Sequence, residues 1–295
     1  MPKRRAVYTA ITGGYEVLAD APAASGMELL CFTDDPTVTS ETWRVVHVPR
    51  ALPSDPMRSQ RFLKVLGHSE LDQFDETLYI DNSVGLRVDP HVILDEWLKT
   101  KDIALASHSF RQTVRGEFDA VRLAGLDTQE RLDEQLDHYS RDAPDVLAQR
   151  PYWGAMIARR QGSQALQTAM DIWMRHILRY ARRDQLSINY ALYAAGVIPE
   201  RIELDNYDSP LHYWPNLANR ATRRPTVEFA WQYGQEARSI EAAIEDRDRS
   251  QRALESALEE RDRFQHMHGE LLASSSWRLT APIRAAADWV RRRKG

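Results

Sequence analysis

An acid placed where an apolar run stops, followed by a polar turn, can hold a divalent cation beside a pyrophosphate, because oxygen ligands suit Mg or Mn. Asp81-Asn82-Ser83, directly after Thr77-Leu78-Tyr79-Ile80, has that placement, although a strand-end Asp closing a turn fits the bare pattern as well. Arg58, Arg61 and Lys64, at i, i+3 and i+6, could neutralise phosphate charge or form a solvated helix face. Arg182-Arg183-Asp184-Gln185-Leu186-Ser187 brings an acid to the start of the helical segment holding Asn189. Asp184 there is either an N-cap or a group that binds or deprotonates an acceptor hydroxyl. His212-Tyr213-Trp214-Pro215 offers an imidazole among aromatics, a structural residue or the completion of a metal site.

The elements that must position these residues alternate. Residues 7–10 read as a first strand, and Thr12-Gly13-Gly14-Tyr15 supplies glycines for a tight turn where backbone can approach a ligand. Residues 28–33, 43–48 and 75–81 read as further strands, with a helix opening at Asp55-Pro56 before the last of them. Residues 90–98 predict a helix, 103–107 a buried strand, 128–139 a polar helix and 153–158 another strand. Leu166, Met170, Trp173, Ile177 and Tyr180 mark an amphipathic helix over 163–180, and 185–195 predicts one more. Strands alternating with helices argue for an α/β layered domain over residues 1–220.

Residues 221–238 read as a hinge. Residues 239–272 hold no Pro and dense charge, and Glu259-Glu260-Arg261-Asp262-Arg263 echoes Glu245-Asp246-Arg247-Asp248-Arg249 two heptads on. A long helix is expected, as a coiled coil or as a solvated single helix, since the heptad seam admits two arginines. Residues 273–295 form a basic amphipathic tail.

With 295 residues the chain can bury a proper core. Its net charge is −4, yet residues 275–295 carry six cations against one acid, so the remainder is decidedly acidic and unlike a general nucleic-acid binder. The one cysteine, Cys31, lies in Leu29-Leu30-Cys31-Phe32, where a buried inert thiol is expected. No segment reads as a signal peptide or a membrane span, which predicts a cytoplasmic protein. In the tail, Trp277, Leu279, Ile283, Trp289 and Val290 could enter a membrane interface while Arg291 to Lys294 meet anionic headgroups at the inner face. Packing of the same segment on an acidic protein surface, of this or a neighbouring chain, fits equally.

Taken in order, Val7-Tyr8-Thr9-Ala10-Ile11-Thr12-Gly13-Gly14-Tyr15, Cys31-Phe32-Thr33-Asp34-Asp35, the basic run 58–64, Tyr79-Ile80-Asp81-Asn82-Ser83, Arg183-Asp184-Gln185-Leu186-Ser187 and His212-Tyr213-Trp214-Pro215 resemble the DUF616 glycosyltransferase-like domain family. That family is similar in layout to GT-A glycosyltransferases, especially the family 8 type. The resemblance implies a Rossmann-like mixed sheet flanked by helices, a UDP- or GDP-linked sugar donor, and Mn or Mg. By it, Thr9, Ala10, Thr12, Gly13, Gly14 and Tyr15 would contact the nucleoside, and Asp34 the base or ribose. Arg58, Arg61, Lys64 and Asn82 would line the donor, and Asp81, Ser83 and His212 would hold the metal. Asp184 and Gln185 would act near the transferred sugar, with Trp153 and Gly154 shaping the acceptor side. GT-A enzymes commonly show Asp-x-Asp, whereas the third position here is Ser83, which brings no charge. Residues 274–284 resemble a segment found after coiled coils in bacterial surface-polysaccharide glycosyltransferases. The expectation is therefore glycosyl transfer to an acceptor hydroxyl in surface-glycan synthesis, with oligomerisation through the C-terminal helix. The alternative is a non-catalytic assembly module on a degenerate fold.

Overall fold

The computed structural model describes residues 3–14, 16–24 and 26–214. Tyr15 and the segments expected to form a hinge, a long helix and a basic tail lie outside the described residues. Nine strands are present among those described: β1 (Arg5–Ile11), β2 (Glu28–Thr33), β3 (Arg44–His47), β4 (Glu76–Ile80), β5 (Gly85–Leu86), β6 (Ile103–Ser107), β7 (Tyr152–Arg160), β8 (Glu200–Ile202) and β9 (His212–Tyr213). They are joined by helices α1 (Pro56–Val65), α2 (Pro90–Trp97), α3 (Val114–Leu123), α4 (Gln129–Asp142), α5 (Pro144–Ala148), α6 (Gln164–Arg179) and α7 (Ile188–Ala194).

Seven strands make one sheet in the order β3-β2-β1-β4-β7-β6-β8, and β5 pairs with β9. The pairs β2–β3, β1–β2, β1–β4 and β6–β8 are parallel, while β7 runs antiparallel to both neighbours. Alternation along each strand sends Tyr8, Ala10, Leu30, Phe32, Tyr79 and Ile157 to one face, packed with Leu63 of α1 and Trp173 and Ile177 of α6. Val7, Ile11, Cys31, Leu78, Ile80 and Met156 face the other way, against Ile93, Leu94 and Trp97 of α2. A mixed sheet with helices on both faces is the GT-A-like, Rossmann-type architecture that the alternation of elements implies.

Local signals set the helices. Asp55 caps α1, its carboxylate accepting from the Arg58 amide, and Pro56 opens the first turn. Ser163 caps α6, whose apolar stripe buries Trp173 completely, a contribution of about 1.5–3 kcal/mol for such a side chain. The strands expected at 28–33 and 103–107 appear with those bounds, and the others shift at their ends by one or two residues. The continuous helix expected over 185–195 is instead a 3-10 turn, Asp184–Leu186, followed by α7. Helices α3 and α5 and the strands β5, β8 and β9 went unmarked by the sequence patterns. The short strands gain their pairing only from distant partners, Gly85 with Tyr213 and Ala104 with Glu200.

The chain runs β1, β2, β3 to one side and then returns with β4 to the other side of β1. Ligands of open α/β sheets bind in the crevice outside the carboxyl ends of the strands where the order reverses. Here that crevice lies beyond Ile11, Thr33 and Ile80.

Candidate functional site

Asp81 follows β4 at the switch point, its amide donating to the Ala155 carbonyl at 2.8 Å and its carbonyl accepting from Val84. Oδ1 of Asp81 accepts from the Tyr79 hydroxyl at 2.6 Å and meets Lys64 Nζ at 3.3 Å. Tyr79 is held in turn by Gln60 Nε2 at 2.7 Å. Asp184, far along the sequence, joins the same cluster: its Oδ2 lies 2.7 Å from Lys64 Nζ and 3.5 Å from Arg61 Nε. The Lys64 and Asp184 side chains are only 3% and 5% exposed, so water screens the pair poorly.

Burial would raise the proton affinity of Asp184, but Arg61, Lys64 and Arg183 outweigh it and hold the carboxyl well below the usual carboxylate range. A carboxylate that strongly prefers its charge is a poor proton acceptor and a good anchor for positive charge. Asp184 is therefore not the N-cap its position allows. The 3-10 turn is fixed by its backbone, with Trp173 Nε1 and the Ser187 amide donating to the Asp184 carbonyl, and this frees the carboxylate to point at the basic residues of α1. Gln185, beside it, accepts from Arg183 through Oε1 at 2.9 Å.

Gly154, at the start of β7, passes over this pair. A Cβ there would stand 3.4 Å from Asp184 Oδ2 and 3.4 Å from Lys64 Nζ, so anything longer than alanine would enter the ion pair. Trp153 packs on His212 at 5.0 Å between ring centroids and edge-on to Trp214 at 6.0 Å.

The remaining expected residues divide. Gly13 and Gly14 make the turn after β1 with φ of 83° and 68°, a conformation that favours glycine. The Gly13 amide donates to Asp34 Oδ1 at 2.9 Å, and Arg50 binds the other oxygen, so Asp34 braces this turn. Thr12 donates its hydroxyl to the Pro56 carbonyl, Ala10 accepts from Gln60 through its carbonyl, and Thr9 is wholly buried in the sheet. Asn82 ties the segment before it, accepting from the Ala19 amide and donating to the Val17 carbonyl.

Arg58 does not join Arg61 and Lys64. Its guanidinium donates to the Ile177 and Tyr180 carbonyls at 2.8 and 2.9 Å and to Asp55 at 2.7 Å, satisfying the last turn of α6. The basic run thus supplies one packing arginine and two site cations.

The triad expected for a metal does not fit one. Asp81 Oδ1 is engaged by a hydroxyl and an ammonium, and Ser83 Oγ accepts from Trp214 Nε1 at 3.0 Å. His212 is fully buried, its Nε2 donating to the Asn206 carbonyl at 3.0 Å and its Nδ1 paired with the Ser209 hydroxyl at 2.8 Å, and burial lowers its pKa. Both ring nitrogens are committed to the loop that precedes β9. Among the described residues no cluster of three His, Cys, Asp or Glu side chains could hold a metal ion. Cys31 is buried and its thiol is pushed up to about 12, chiefly by that burial, as expected of an inert group.

The sequence patterns gave no site role to Glu117 or Tyr79. Glu117, 4% exposed on α3, pairs with Arg111 at 3.1 Å, and burial raises its pKa against the pull of Arg183 and Arg111. An acid inside an amphipathic helix gives no signal beyond its violation of the apolar stripe. A cavity of about 320 Å³, lined in part by Tyr8, His68, Arg159, Ser163 and Asp171, lies at the other end of the sheet, beside the end of β7. There Arg159 is spent on the α1 carbonyls of Lys64 and Val65, so the cavity is a packing feature of the α1–α6 junction.

Compared with known proteins, residues 14–200 match the family described as TOD1/MUCI70, glycosyltransferase-like domain. The "Probable hexosyltransferase MUCI70" of Arabidopsis thaliana is 28% identical over 155 residues, covering 50% of this chain and 27% of that protein. The chain thus spans about a quarter of the length of the curated relative it matches. No helix among the described residues is long and apolar enough to cross a membrane.

Proposed function

Because the chain belongs to the TOD1/MUCI70, glycosyltransferase-like domain family, we propose that it transfers a sugar, of hexose type, from a nucleoside diphosphate donor to an acceptor hydroxyl. The observation that carries this reading is the convergence of Lys64, Arg61, Asp81 and Asp184 at the switch point of the sheet. In the reaction the bond from the anomeric carbon to the diphosphate oxygen breaks while one to the acceptor oxygen forms. The acceptor proton is released, and the nucleoside diphosphate leaves with the bonding pair.

Charge grows on the leaving diphosphate and positive character grows at the anomeric carbon. On this reading Arg61 and Lys64 meet the first, and Asp184 and Asp81 the second. Buried, preorganised charges act on both without reorganising at the moment of reaction. The depressed pKa of Asp184 supports electrostatic stabilisation of the sugar rather than removal of the acceptor proton. The Gly13-Gly14 turn, braced by Asp34, brings bare backbone to the mouth of the same crevice, where a nucleoside can approach.

The test is donor cleavage. UDP- and GDP-linked hexoses incubated with the protein should yield nucleoside diphosphate, and Asp184→Asn should abolish the release. Absence of release and of binding with every donor would sink the reading and favour the assembly-module alternative, whose support is the uncharged Ser83. The proposal extends to the setting: surface-glycan synthesis at a membrane face, with the 273–295 segment as the contact. Liposome flotation with and without residues 275–295 tests that extension, and equal flotation of the two refutes it.

A further inference from the structure

We infer that Lys64, flanked by Arg61, takes the place of a divalent cation, so that the nucleoside diphosphate binds this site without metal. The inference rests on the glycosyl-transfer reading and concerns what neutralises the diphosphate. Lys64 Nζ is caged by Asp81 Oδ1 at 3.3 Å, Asp184 Oδ2 at 2.7 Å and the face of the Tyr79 ring at 5.2 Å, with its side chain only 3% exposed. The cage is built rather than incidental. Three groups arrive from α1, from the end of β4 and from the 3-10 turn before α7, and Gly154 leaves the space above them clear.

A divalent ion on Asp81 Oδ1 would have to come within roughly 2.0–2.6 Å of an oxygen that already accepts from the Tyr79 hydroxyl, and an ion on either oxygen sets two positive charges beside the ammonium. The other groups expected to ligate such an ion are also engaged, the Ser83 hydroxyl by the Trp214 indole and the two His212 ring nitrogens by Ser209 and Asn206. A lysine point charge next to an arginine fork is the same chemistry by which proteins hold phosphates with side chains alone. Two carboxylates around one ammonium and one guanidinium also keep the site near neutrality before the donor arrives. The two cations can then turn toward the diphosphate while Asp81 and Asp184 turn toward the sugar.

Two measurements on the full chain test this without relying on turnover. Titration calorimetry with UDP and GDP, in EDTA and in millimolar MnCl2, should give affinities within about threefold of each other, whereas Lys64→Met should weaken binding by about tenfold or more in both. Electron paramagnetic resonance of free Mn²⁺ should lose no signal when the protein alone is added. Binding that requires Mn, or stoichiometric loss of the Mn²⁺ signal that Asp81→Asn restores, overturns the inference while leaving glycosyl transfer intact. Failure of both nucleotides to bind under either condition overturns the nucleotide reading and this inference with it. Circular dichroism of Lys64→Met separates lost binding from lost folding, and the wild-type comparison stands without any variant.

Discussion

Asp184→Asn isolates the central ion pair, since asparagine keeps the shape of the side chain and removes its charge. The variant leaves Lys64, 3% exposed, and Arg61, 15% exposed, facing a neutral amide. Removing one partner of a buried pair costs about 3–5 kcal/mol, because the surviving charge is left uncompensated. The lower end applies here, as Lys64 retains Asp81 at 3.3 Å and Arg61 retains Gln60. About 3 kcal/mol corresponds to a fall in Tm of roughly 6–12 °C for a domain of this size. The pH dependence adds a signature. Arg61 and Lys64 overcome the effect of burial and depress the folded pKa of Asp184 below its unfolded value of 3.8, so its contribution is present above that pH and is lost as pH falls through the folded value. The gap between wild type and variant, followed by urea unfolding, should stay constant from about pH 8 to 5 and begin to close below about pH 4. A variant that melts within about 2 °C of wild type, or a gap that widens on acidification, refutes the assignment of Asp184 as the buried partner of Lys64 and Arg61.

Arg58→Ala should cost at least about 2 kcal/mol in urea unfolding while leaving nucleotide affinity unchanged, because its three bonds, to Asp55, Ile177 and Tyr180, serve the α1–α6 junction. Gly154→Ala should keep most donor cleavage and Tm, with its Cβ at 3.4 Å from both members of the ion pair, whereas Gly154→Val should lose about 10²-fold in kcat/KM and also lower Tm, because its methyl groups enter the buried pair. Burial lowers the pKa of His108 from 6.5 to about 3, and burial with the neighbouring His138 lowers that of His176 to about 4. The unfolded chain therefore binds more protons than the folded one below pH 6.5, and stability should decline on acidification from there by about 1.4 kcal/mol per pH unit for the more buried His108. Urea midpoints between pH 7 and 5 check this, and His108→Gln should flatten the slope.

The layered α/β architecture was legible because its signals are local. Apolar runs of strand length, the Asp55-Pro56 and Ser163 starts and the 3.6-residue stripe of α6 each specify an element without knowledge of the rest. The elements that escaped are those whose existence depends on distant partners. β8 has only three residues, all half-buried, and exists because β6 offers it an edge at Ala104, Leu105 and Ala106. β5 and β9 need each other, and the Tyr213 ring lies so close over Gly85 that a Cβ there would meet it at 2.2 Å. The 3-10 turn before α7 was hidden for the same reason, since what bends it is the Trp173 indole from α6 reaching the Asp184 carbonyl.

The site itself shows where sequence spacing stops informing. Arg58, Arg61 and Lys64 read as one basic face, yet at about 100° per residue the three side chains fan across roughly 120° of the helix surface. Whatever lies at each edge of that fan decides their fate. At one edge the open carbonyls of α6 draw Arg58 away from solution and into the packing. At the other, Asp184, 120 residues further along, meets Lys64 and converts a surface lysine into a buried cation. The acid at the end of β4 was legible as a strand-end group at the sheet's edge, but its partner was not, because nothing near Asp81 in the sequence says that the Lys64 ammonium will lie 3.3 Å from its carboxylate. The order of motifs along the chain locates the crevice; the charge that fills it is a property of the fold.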